Sequence, residues 1–184
     1  MNRPLRADAA RNRARVLEVA YETFADEGLA VPIDEIARRA GVGAGTVYRH
    51  FPTKEDLFRA VVDDRIRSII AWGSALLQEV APGEALFAFL RTLVLQWGAT
   101  DRGLSEALAG AGVSVDVAIP EVEDEFLAML GELLRAGQEA GTVRGEIGVA
   151  EVKALLVGLQ AMQGYNGEAA TRVIDVVLDG LRAR

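Results

Sequence analysis

Cysteine is absent from this 184-residue chain and histidine occurs once, at position 50. Those two shortages exclude a disulfide framework, a thiol nucleophile, a Cys-His dyad and a zinc site of the Cys/His kind. With no redox mark, a cytoplasmic location is the default expectation. Long apolar runs are missing too. The most apolar segment, ALFAFLRTLVLQWGA from Ala85, is interrupted by Arg91 and Gln96, and it falls short of the roughly 20 residues a membrane span needs. No membrane partner is expected. The N-terminal stretch carries Arg3, Arg6, Arg11, Arg13 and Arg15 where a secretory signal needs an apolar core, so it reads as a basic arm leading into a helix. Strand-like alternation of useful length is lacking as well. Nearly every segment with a clear period repeats at about 3.6 residues, and the expected fold class is all-α.

What the chain does have is an uneven charge. The net value is −7, but residues 1–54 hold nine Arg/Lys against seven Asp/Glu, while residues 55–184 hold eleven against twenty. A polyanionic partner would therefore meet the N-terminal part, because a net charge does not prevent binding where basic groups sit together.

The periodicity predicts a first helix from about Asp8 to Glu27, with Val16, Leu17, Ala20 and Phe24 on one face and Gly28 ending it. Pro32 sits where a first helical position is expected, with Asp34 and Glu35 in the opening turn, and that short helix runs to about Ala40. Gly41-Val42-Gly43 makes a turn, Ala44 to about Phe51 a second short helix, and Pro52-Thr53 a break. Thr53 and Asp56 resemble a capping box, which opens a long helix from Lys54 to about Val80 with Gly73 as a candidate kink. Further helices are expected from Pro82 (about 17 residues, apolar almost all round), around Asp101 to Ala111, from Pro120 to near Gly141, from Val149 to Gln163 and from Glu168 to Leu181.

Two short helices joined by a glycine turn, with Ile36, Ala37, Ala40, Val42, Val47 and Phe51 inward, have the dimensions of a helix-turn-helix. Small Ala37 lets the second helix cross close to the first. Thr46, Tyr48, Arg49 and His50 are then left on the outer and flanking faces, as hydrogen-bonding types suited to a phosphate-lined groove. Lys54 adds a cation at the start of the next helix, where backbone N–H groups are exposed.

The stretch IDEIARRAGVGAGTVYRHFPTKEDLF resembles the signature of the TetR family of bacterial transcriptional regulators, with matching residues over about 12–62. The resemblance implies a three-helix DNA-binding head over 1–54, its helix-turn-helix at about 33–51, and a helical body over 55–184 that binds a small effector and dimerises. By that likeness Ala44, Thr46, Tyr48, Arg49, His50 and Lys54 fall on positions that touch DNA, and Arg39 joins them. Tyr48, His50 and Lys54 are most like phosphate clamps. The sequence departs from the family pattern at Pro32, where Ser or Thr commonly caps the helix, at Gly43, where Ser is common, and at Ala44, which stands for a long polar side chain and offers only a methyl contact.

In the body, Thr92 and Gln96 lie four residues apart and are expected on one face beside Phe89 and Leu93. Trp72, Trp97, Leu104, Phe126 and Met129 complete a candidate effector pocket, mainly apolar with few polar anchors; ordinary core packing is the plain alternative for each. Arg91 either anchors an anionic ligand or pairs with an acidic neighbour. Two apolar faces on the terminal helices leave Leu155, Leu159, Met162, Ala169, Val173, Val176 and Gly180 as candidates for a homodimer interface, which would suit a palindromic double-stranded DNA operator. No catalytic dyad, cofactor motif or metal-ligand spacing is present in the sequence, so an enzyme is not expected. The expected function is a DNA-binding regulator, a repressor released by a small apolar effector. The rivals are a body that binds a protein partner or nothing, and a helical enzyme with an accidental helix-turn-helix.

Overall fold

In the computed structural model the described residues are 3–97 and 120–183. Within them every regular element is helical except an isolated antiparallel bridge between Val143 and Arg182. The helix expected near Asp101 to Ala111 lies outside the described residues. No helix among those described is long and apolar enough to cross a membrane.

Helix α1 covers Arg3–Glu27, five residues earlier than the apolar period required. Pro4 does not prevent that start, because a first-turn residue has no intrahelical acceptor for its N–H. The buried stripe is the predicted one, Val16, Leu17, Ala20 and Phe24. Gly28, at φ 72°, ends the helix and opens a 3-10 turn, Gly28–Ala30.

Helix α2 is Ile33–Ala40, and Pro32 stands one position before it, as an extended N-cap. At the other end Gly41 turns left-handed, at φ 69°, and Val42 N–H donates to Ala37 O at 3.1 Å, closing the carbonyls that the helix leaves open. Helix α3 is Ala44–His50, and α4 runs Lys54–Glu79. Gly73 does not break α4. Its missing side chain gives room: a Cβ there would lie 2.5 Å from Met129 Sδ and 2.9 Å from Phe89 Cε2.

Pro82 opens α5, Pro82–Thr92, which passes into a π turn, Leu93–Trp97. The remaining helices are α6, Pro120–Glu139, α7, Val149–Tyr165, and α8, Gly167–Leu181. Glu151 accepts the Gly148 N–H at 2.9 Å and Asn166 Oδ1 accepts the Ala169 N–H at 3.0 Å, so side chains start both terminal helices. After α8 the chain is clasped. Ala183 N–H donates to Thr142 O at 2.9 Å, Arg144 N–H to Leu181 O at 3.1 Å, and the Thr142 hydroxyl to Gly83 O at 2.7 Å.

The described residues fall into two compact units, one within Met1–Arg65 and one within Ile66–Arg102 and Pro120–Arg184. The first holds α1 to α3 and the start of α4, with Phe24 edge-on to Phe58 at 5.8 Å and Arg65 over the Tyr21 ring at 5.1 Å. The second has its own apolar core, in which Leu86, Phe89 and Leu90 of α5 meet Leu130 and Leu133 of α6 and Ile174 of α8.

Candidate nucleic-acid interface

The orientation of α3 follows from two side chains. Val47 and Phe51 are buried, with Ile36, Ala37 and Ala40 of α2, and Ala37 fills its place without forcing the helices apart. Seven residues at 3.6 per turn then leave Tyr48, Arg49 and His50 outward. All three are exposed, Tyr48 by 44% in spite of its size, while Ala44 and Thr46 are half-buried near the start of the helix. An exposed tyrosine beside an arginine and the lone histidine is a surface able to donate hydrogen bonds to an anion.

The next helix begins with the expected box. Thr53 N–H donates to Asp56 Oδ2 at 3.1 Å, Asp56 N–H donates to Thr53 Oγ1 at 3.1 Å, and the Thr53 hydroxyl donates to Asp56 Oδ2 at 2.7 Å. The amides of Lys54 and Glu55, next in line, have no intrahelical acceptor. With the half-buried Lys54 side chain they form a positive corner at the end of α3. Arg13 of α1 adds to it. Its guanidinium lies 5.5 Å from the centre of the Phe51 ring, which itself lies 6.1 Å from the His50 ring.

Arg39 behaves otherwise. It is tied to both oxygens of Glu27, at the end of α1, and its Nε donates to Glu35 at 2.7 Å. Arg38 grips the same Glu35 with two bonds, at 2.7 and 2.8 Å. The hydrogen bonds from Arg38, then from Arg39, hold the Glu35 carboxyl down at about 2, against an ordinary 4.5; the bond from Arg39 also lowers Glu27. A depressed carboxylate stabilises the fold above its unfolded value and loses that contribution as pH falls through its folded value. The head should therefore weaken between about pH 4.5 and 2. Urea midpoints measured across that window should fall less for Glu35→Gln than for wild type; equal slopes would show that the Glu35 contacts do not persist in solution.

Of the residues expected to line an effector pocket, Trp72, Phe89, Phe126 and Met129 come together. Trp72 stacks on Phe89 at 5.3 Å between centroids, and Phe126 follows at 6.3 Å. Leu93 is buried and Thr92 half-buried, but Gln96 is exposed. The π turn explains the difference: its i to i+5 bonding does not preserve the four-residue register that would set Gln96 over Thr92. Leu104 and the side chain of Trp97 lie outside the described residues. Arg91 pairs with Asp175. Periodicity missed Lys153, which pairs with Glu123 at 2.9 Å and lies 4.7 Å from the centre of the Phe126 ring. It also missed a surface cleft of about 360 Å³ beside Phe87 and Leu178. No sequence signal marks that cleft, because its walls come from separate helices.

On the terminal helices Leu159 is buried, and Leu155 and Met162 pack against the body's own core. Ala169 and Val173 are half-buried, while Val176 and Gly180 are exposed. The large apolar groups left outside are Val157 (53%), Tyr165 (92%) and Val176 (70%). Val157 is two residues from both Leu155 and Leu159, about 200° round the helix, and the small residues Ala154, Gly158 and Ala161, which share the exposed side with Val157 and Tyr165, were the available signal.

Comparison with known proteins agrees with this geometry. Residues 16–61 match the profile described as bacterial regulatory proteins, tetR family, and residues 81–183 match that of the SbtR-like transcriptional regulators, C-terminal domain. A TetR transcription regulatory protein from Mycobacterium vanbaalenii is 59% identical over 98% of this chain and 100% of its own, with a TM-score of 0.81. A TetR transcriptional regulator from Streptomyces coelicolor is 32% identical over 93% of this chain and 98% of its own, at 0.74. An HTH-type transcriptional regulator of Staphylococcus aureus is 39% identical over 67 residues, a match that spans 36% of each chain.

Proposed function

As a member of the TetR family of bacterial transcriptional regulators, this chain is a helix-turn-helix regulator, and we propose that it acts as a cytoplasmic homodimeric repressor that a small, mainly apolar effector releases from a palindromic operator. The observation that carries the reading is the outward face of α3. Tyr48, Arg49 and His50 are exposed next to the positive start of α4, over a helix pair held by Val47, Phe51, Ile36 and Ala37. Tyr48, His50 and Lys54 clamp phosphates, Thr46 and Arg49 read base edges, and Ala44 contributes a methyl contact.

The dimer reading is supported by Val157, Tyr165 and Val176, large apolar side chains left exposed on the two helices that end the body. A second copy would cover them, and a two-fold axis suits a two-fold symmetric duplex. The effector reading is supported by the Trp72, Phe89, Phe126 and Met129 cluster, whose rings would contact an apolar guest. Release requires that the effector prefer a body conformation in which α4, whose residues belong to both units, no longer supports DNA binding. The close packing around Gly73 favours a rival reading, a body with no effector.

In vitro selection from random duplexes tests the reading as a whole. The expected product is a two-fold symmetric sequence bound by two copies of the chain, read by mobility shift and by mass in solution. One copy per duplex would overturn the dimer, and the absence of any enriched sequence would overturn the operator.

A further inference from the structure

We infer that Arg39 serves DNA binding as a positioning residue, acting through Glu27 and Glu35 without touching the duplex. The inference rests on the DNA-binding reading above and sharpens it, since the family likeness alone would count Arg39 among the contacts.

The geometry is that of a fork already filled. Three of the five guanidinium donors are engaged, Nε on Glu35 at 2.7 Å and the two terminal nitrogens on the two oxygens of Glu27. Glu27 is the last residue of α1 and Glu35 is in the first turn of α2, so the one side chain joins the end of one helix to both ends of the next. Arg38 differs, with a side chain 73% exposed and a single carboxylate partner, against 35% and two for Arg39. A phosphate that took Arg39 by its forked end would have to displace Glu27 and leave that carboxylate facing the polyanion uncompensated. With Arg39 in place, two acids and two bases balance, and the carboxylates do not repel an approaching backbone. Arg39 thereby fixes the entry angle of α2, and through α2 the placement of α3, whose buried Val47 leans on the same helix.

A direct contact and a positioning role make opposite predictions. Affinity for a selected duplex would be measured by fluorescence anisotropy across a salt series for Arg39→Gln, for the double variant Glu27→Gln/Glu35→Gln, and for all three changes together. On the positioning reading Arg39→Gln weakens binding by about tenfold, yet the slope of log K against log salt stays at the wild-type value, because no phosphate contact is lost. Adding Arg39→Gln to the double variant then costs less than about twofold, since the carboxylates through which it acts are gone. A slope smaller by about one, or an equal loss in both backgrounds, would overturn the inference. Should Arg39→Gln fail to fold, Arg39→Lys keeps the charge without the fork; its weakening should shrink to under about twofold in the Glu27→Gln/Glu35→Gln background, and an equal loss in both backgrounds would overturn the inference. Lys54→Ala is run alongside. If its slope does not fall while the Arg39 cycle behaves as described, the phosphate assignment fails and Arg39 stands; if the wild-type chain selects no duplex, both fall.

Discussion

A chain carrying Tyr48→Phe, His50→Ala and Lys54→Ala together should keep its fold and lose about a thousandfold in affinity for a selected duplex at matched salt, if each group gives a phosphate one charge-assisted hydrogen bond of about 1.5 kcal/mol. The fold should survive because none of the three side chains is buried, and because the buried partners of α3 are Val47 and Phe51. The loss should be uniform across sequences, since phosphate contacts carry no base identity, and the salt slope should drop by about one for Lys54. Thr46→Ala and Arg49→Ala should behave differently, changing which duplex is preferred. A triple variant that binds as wild type does would remove the phosphate assignment, while one that loses its circular dichroism signal would show that the three groups hold the head together.

Phe89→Ala should cost the body about 3–5 kcal/mol, the largest stability effect expected of any single truncation here. Phe89 has no exposed surface, stacks on Trp72 at 5.3 Å and contacts the space that Gly73 leaves open. For a chain of this length the melting temperature would fall on the order of 10 °C, readable by calorimetry. The size of the loss also bears on the effector. A rigid, filled core yields the full penalty and leaves a ring-sized apolar void, which stays dry and takes up small aromatic molecules. A loss under about 1 kcal/mol would mean that the cluster already adapts around empty space.

The head was legible from the sequence because its constraints are local. Gly41 must turn left-handed, Thr53 and Asp56 are three residues apart, and a helix of seven residues buries whatever its apolar spacing dictates, so Val47 and Phe51 alone set what faces out. The ion-pair network was not legible, because Glu27 and Arg39 are twelve residues apart on different helices and no period links them. In the body, helix starts at Pro82, Pro120 and Val149 were readable from proline and capping chemistry. The face of each helix was less so. Leu155 and Leu159 carry the same apolarity whether they meet their own core or another chain, and only packing decides that Leu159 goes inward while Val157 stays out. Gly73 was legible only in part for the same reason: a glycine inside a helix signals a bend or a close neighbour, and only packing shows that Phe89 and Met129 supply a neighbour.

The wide turn at Leu93–Trp97 has a consequence for chain length. Bonding from i to i+5 fits one more residue into a turn than an α-helix would hold. Deleting a single residue there would let ordinary α-helical bonding run on from Thr92, so a shorter chain can keep Pro82 and the core face of α5 in place. The segment should thus tolerate a one-residue deletion, a kind of change that elsewhere in α5 would rotate every following side chain by about 100°.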